Sequence, residues 1–174
     1  MFEQIIVKIA NILTQNNIPY MLIGGQAVLL YGEPRFTRDI DITLGIDINQ
    51  LDKLLLLIQT LKFKPIPENI KSFVTQTMVL PVLDDPTGIK IDFVFSFTPY
   101  ETQAIARARQ IQILAHPVNF AAPEDVIIHK IFAGRVRDIE DVNSIILKNA
   151  GLDFGYIRDW LIEFDRSDTD KHNF

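Results

Sequence analysis

Gly24-Gly25-Gln26-Ala27 and, shortly after it, Arg35-Phe36-Thr37-Arg38-Asp39-Ile40-Asp41 are the stretches that decide how this chain reads. Residues 20–23, ahead of the glycine pair, form a short apolar run, and residues 26–31 behind it have a helical composition that Gly32-Glu33-Pro34 stops. The predicted unit is strand, glycine turn, helix. From 37 to 44 the residues alternate, so Thr37, Asp39, Asp41 and Thr43 share one face while Ile40, Ile42 and Leu44 share the other. That pattern predicts a half-buried strand with an acidic face. Two aspartates spaced by one residue project about 7 Å apart from the same face, so their carboxylates can converge on one cation. Backbone amides at a glycine turn and the helix N-terminus behind it can hold phosphate, because glycine lets the ligand come close.

A third carboxylate extends the pattern. In the expected strand 89–97, Ile91, Phe93 and Phe95 share one face, and Lys90, Asp92 and Val94 share the other. A strand over 73–80 is expected to pair with it as a hairpin around Asp84-Asp85-Pro86-Thr87-Gly88. If the 89–97 strand lies beside the Asp39/Asp41 strand, three carboxylates meet, and like charges that close repel unless divalent cations neutralise them. Hard oxygen ligands suit Mg2+ or Mn2+, and such a site can orient an attacking hydroxyl and stabilise a pyrophosphate leaving group. The implied chemistry is nucleotidyl transfer.

At this point the residues carry a resemblance. The glycine stretch, the Arg35 to Asp41 stretch and Asp92 together resemble the nucleotidyltransferase fold, nearest to a small bacterial group related to the AbiEii toxin-type nucleotidyltransferases, over residues 18–142. The resemblance implies an α+β fold, a nucleotidyltransferase-like mixed sheet with helices packed on one side, closed by a helical C-terminal segment. It also implies that Gly24 and Gly25 contact the incoming triphosphate, that Asp39 and Asp41 bind both metal ions, and that Asp92 binds one and helps deprotonate the acceptor hydroxyl. Many members have Gly-Ser where this chain has Gly-Gly, so a serine contact to phosphate is missing. In the same reading Arg35 and Thr37 sit at the mouth of the site, where a guanidinium could grip phosphate. On an alternating strand Arg38 should point to the other face from Asp39.

The segment from His129 to Val142 resembles a further motif of this group, in which a lysine and an arginine–aspartate pair follow the catalytic core. On a continuous helix Lys130, Gly134, Asp138 and Asp141 would share one face, and Lys130 could reach a nucleotide phosphate. Arg135 with Asp138 and Arg137 with Asp141 read equally well as local pairs worth a few tenths of a kcal/mol. His116, His129 and His172 have no metal-ligand spacing and read as surface or helix-cap residues.

The remaining elements follow from periodicity and breakers. Helices are expected at 2–16, 49–61, 100–108, 123–132, 138–149 and 153–164, a short strand at 111–114, and a frayed polar tail at 165–174. With 174 residues, 48% of them hydrophobic, the chain reads as one domain: a core over 1–122, a helical segment over 123–166, and a tail over 167–174. Seventeen basic and twenty-two acidic residues give a net charge of −5, which disfavours bulk electrostatic coating of nucleic acid. There is no cysteine, and no signal-peptide or membrane-spanning pattern, so a soluble cytoplasmic protein is expected. The expected partners are a nucleoside triphosphate and a hydroxyl acceptor: RNA such as a transfer RNA end, a protein, or a small molecule. The leucine-rich helix leaves a homodimer or partner protein open. The rival reading is a catalytically weak nucleotide-binding or partner-binding module of the same fold.

Overall fold

The computed structural model describes residues 1–171. Helix α1, Phe2–Gln15, carries apolar residues at helical spacing and buries Ile5, Ile6, Ile9, Ala10 and Leu13. Asn17, in the left-handed region, reverses the chain into β1, Tyr20–Ile23. Helix α2, Gly24–Tyr31, starts on the glycine pair itself, with no separate turn between strand and helix. Strand β2, Asp39–Leu44, begins two residues later than the alternation predicts. A 3-10 turn then leads into α3, Leu51–Thr60.

The next stretch departs from expectation. After the two-residue strand β3, Lys64–Pro65, residues 70–77 form a helix, α4, rather than the start of a strand. Asn69 caps it by accepting from the Ser72 amide at 3.2 Å, and Met78, with φ 59°, ends it. Only then comes β4, Val79–Asp84, which pairs antiparallel with β5, Ile89–Phe95, as the expected hairpin.

Helix α5, Pro99–Ala106, leads to β6, Arg109–Ile113, and to a seventh strand that the composition hides, β7, His116–Phe120. The chain ends in three helices: α6, Pro123–Ala133, α7, Val136–Lys148, and α8, Phe154–Lys171. The tail expected to fray from 165 is instead helical through Lys171, and residues 172–174, His172 among them, lie outside the described residues.

The seven strands form one mixed sheet in the order β3-β4-β5-β2-β1-β7-β6, with β2/β5 and β1/β7 parallel and the rest antiparallel. One face of its centre is wholly apolar: Ile40, Ile42, Leu44, Leu80, Val82, Ile91, Phe93 and Phe95 are all buried. Each such side chain contributes about 1.5–3 kcal/mol on leaving water. The opposite face of β2 and β5 carries Asp39, Asp41, Lys90 and Asp92.

A polar knot fixes the C-terminal helices to the rest. Asp125, fully buried near the start of α6, accepts from the Tyr156 hydroxyl of α8 at 2.8 Å, the Tyr100 hydroxyl of α5 at 3.2 Å and Arg107 Nε at 3.3 Å. The Arg107 guanidinium also lies 3.9 Å from the Tyr156 ring centroid. His129 is not a surface or cap residue: it sits mid-helix 5.5 Å from the Tyr100 ring, its Nε2 enclosed without a partner, and burial pulls its pKa down to about 4. Among the described residues no helix is long and apolar enough to cross a membrane.

Candidate active site

The parallel register of β2 and β5 decides the floor of the site. Asp41 stands directly opposite Asp92, and Asp39 opposite Lys90, so the three carboxylates share the polar face of two adjacent strands. Lys90 Nζ donates to Asp92 Oδ2 at 2.8 Å, while Asp92 Oδ1 is enclosed and has no partner. Burial, then the charges of Asp92 and Asp39, push the Asp41 carboxyl up to about 6, against smaller opposing effects of Lys130 and Lys90. The floor is therefore charge-frustrated.

The glycine pair forms one wall. Gly24 sits at φ +64°, where a side chain is strained, and a Cβ there would lie 2.7 Å from Asp41 Cγ. A Cβ on Gly25 would lie 2.8 Å from Thr37 Cβ. The close approach that glycine permits thus brings the first turn of α2 against Asp41 and Thr37, leaving its unsatisfied amides beside the acids.

The opposite wall comes from α6 and α7. Gly134, with φ +65°, ends α6, so the two helices are not continuous. The break folds Asp138 and Asp141 back onto Lys130, which donates to Asp138 Oδ1 at 2.7 Å and pairs with Asp141 Oδ2 at 2.9 Å. Arg35 grips Asp141 with both arms of its guanidinium, Nε to Oδ1 at 2.7 Å and Nη2 to Oδ2 at 2.8 Å. Arg135 Nε donates to Asp138 Oδ2 at 2.6 Å. Burial raises Asp138, but its bonds from Arg135 and Lys130 outweigh that and hold the carboxyl at about 2; Asp141 is lowered in the same way by Arg35 and Lys130.

Gly24, Gly25, Arg35, Thr37, Asp39, Asp41, Asp92 and Lys130 all line one cleft of about 710 Å³. Two sequence readings need correcting. Arg38 precedes β2, so it does not alternate away; it lines the same cleft. Arg137, expected to pair with Asp141, instead donates from Nη2 to the Phe36 carbonyl at 3.3 Å. Sequence reasoning missed Asp141 as the anchor of Arg35 and missed Phe36 at the cleft rim. No local pattern announces either, because the partners lie more than a hundred residues apart.

Among the described residues no three carboxylates or imidazoles are placed to ligate one ion together. Asp41 and Asp92, cross-strand neighbours with one oxygen lacking a partner, are the pair whose donor chemistry fits a hard divalent cation.

The sequence model of one family, described as "Nucleotidyl transferase AbiEii toxin, Type IV TA system", matches residues 12–171. A comparison with curated protein sequences finds no match. Among solved structures, the antibiotic-resistance factor ANT(2'')-Ia is similar at TM-score 0.69 and 15% identity, covering 98% of this chain and 96% of its own. An antigenic nucleotidyltransferase-like protein from Paracoccidioides brasiliensis gives TM-score 0.60 and 18% identity, covering 98% and 90%. The lincosamide antibiotic adenylyltransferase LnuA, with lincomycin bound, gives 0.59 and 15%, covering 84% and 97%. At these identities the structures show a shared fold.

Proposed function

The chain belongs to the AbiEii nucleotidyl transferase family, and from that premise we propose that it moves a nucleoside monophosphate from a nucleoside triphosphate to a hydroxyl acceptor in a divalent-metal-dependent reaction. The observation that carries this reading is the frustrated floor: Asp41, raised to about 6, faces Asp92, whose Oδ1 has no partner. Asp41 and Asp92 would hold Mg2+ or Mn2+, and Asp39 adds a third negative charge on the same face. When bound, the metal would neutralise the carboxylates and stabilise charge on the pyrophosphate leaving group.

The chain's own groups do the rest. The amides of Gly24 and Gly25 hold the triphosphate against the start of α2. Thr37 closes that corner, Arg35 and Lys130 supply positive charge along the cleft, and Asp92 helps to deprotonate the acceptor hydroxyl. The acceptor classes are RNA, a protein hydroxyl or a small molecule. The LnuA complex with lincomycin supports the small-molecule class, and membership of a toxin–antitoxin family supports a partner protein and a cytoplasmic setting.

A second reading, a nucleotide-binding or partner-binding module with little turnover, draws on one observation. The cations that would meet phosphate are already engaged, Lys130 by Asp138 and Asp141 and Arg35 by Asp141. The deciding experiment incubates the protein with each alpha-labelled nucleoside triphosphate, Mg2+ or Mn2+, and an extract containing nucleic acid and protein, beside an Asp39→Ala/Asp41→Ala double variant. Label fixed by the wild type alone supports transfer and reveals the acceptor class. No label with any nucleotide or metal hands the case to the binding module.

A further inference from the structure

Phe36 is 72% exposed at the rim of the cleft, an unusual place for a large apolar side chain that packs into no core. Its backbone is nonetheless held from two sides. Its neighbour Arg35, through Nη1, and the distant Arg137, through Nη2, each donate to the Phe36 carbonyl at 3.3 Å. Over the ring itself lies the Arg38 guanidinium, 5.7 Å from the centroid. Thr37, the next residue, packs against Gly25, where the triphosphate would sit. An exposed ring on a pinned backbone, backed by a guanidinium and adjacent to a phosphate corner, is a stacking platform: every nucleobase offers a flat face to such a surface.

We propose that Phe36, propped by Arg38, stacks the base of the incoming nucleoside triphosphate and so holds the sugar and α-phosphate over Asp39 and Asp41. The inference rests on the nucleotidyltransferase reading and adds the residue that grips the base. Stacking gives no hydrogen-bond code, so the platform accepts purines and pyrimidines, with the larger ring systems favoured.

The test uses equilibrium binding in MgCl2, independent of turnover, on the wild type, Phe36→Ala and Phe36→Trp. Each nucleoside triphosphate, inorganic tripolyphosphate and a short single-stranded oligonucleotide serve as probes. Phe36→Trp adds a second tryptophan to Trp160, and the wild type supplies the background. The expected result is quenching of the new tryptophan by nucleoside triphosphates but not by tripolyphosphate. Phe36→Ala should bind nucleoside triphosphates about 5- to 150-fold more weakly, with tripolyphosphate affinity unchanged. Equal nucleotide affinity in wild type and Phe36→Ala overturns the platform, as does quenching by the oligonucleotide alone, which would give the ring to the acceptor. If the wild type binds neither tripolyphosphate nor any nucleotide, the nucleotidyltransferase reading itself falls, and the platform with it.

Discussion

Asp41 and Asp138 line the same cleft, and the structure holds them in opposite electrostatic conditions. Asp138 is surrounded by cations, Lys130 at 2.7 Å and Arg135 at 2.6 Å, and its carboxyl sits at about 2. Asp41 faces other carboxylates, and its carboxyl rises to about 6. One wall spends its charges on holding the fold together. The floor carries more negative charge than Lys90 offsets, a condition that costs stability and that a cation could relieve.

Asp41→Asn removes the frustration while keeping the shape, so the largest effect expected is a split one. Transfer of label should fall by at least about 10³-fold. In EDTA at pH 8, urea denaturation should show a gain of about 3 kcal/mol. The native Asp41 keeps its proton between 3.8 and about 6, where the unfolded chain has lost it, so wild-type stability falls as pH rises through that window. The advantage of the variant should therefore vanish below pH 4 and be complete above pH 6. A loss of stability at pH 8 would break the comparison.

Asp141→Asn tests the other side. It leaves Lys130 and Arg35 without their shared counter-charge, and urea denaturation should show a loss of about 3 kcal/mol. Asp138 gives a pH signature of opposite sign. Its folded value of about 2 lies below the ordinary 3.8, so its contribution of about 2 kcal/mol is present above pH 4 and drains away as pH falls towards 2. Comparing wild type with Asp138→Asn across that range measures it. The smallest effect belongs to the polar knot: Tyr156→Phe removes one of Asp125's donors and should cost about 1 kcal/mol while leaving transfer unchanged.

The acidic strand and the glycine start of α2 were legible because each depends on local spacing: alternation put Asp39, Asp41 and Asp92 on polar faces, and adjacency of β2 and β5 did the rest. What failed to show in sequence depends on local compensation or long range. Residues 73–77 look like a strand, yet Asn69 caps them into a helix whose one fully buried side chain is Val74. Strand β7 contains Pro117 and follows a turn in which Leu114 and Ala115 both take positive φ without any glycine to announce it. Lys130 was read on a straight helix, whereas the left-handed Gly134 turns Asp138 and Asp141 back onto it.

The bidentate grip of Arg35 on Asp141 spans 106 residues of chain. Translated into order of events, this means that β1, α2, β2 and β5 can emerge from a ribosome and pair before α7 exists to meet them. During that interval the aspartates already stand side by side, but the opposite wall is missing and Arg35 lacks its Asp141 partner. The wall built by α6 and α7 therefore closes the cleft only after the whole sheet has been made.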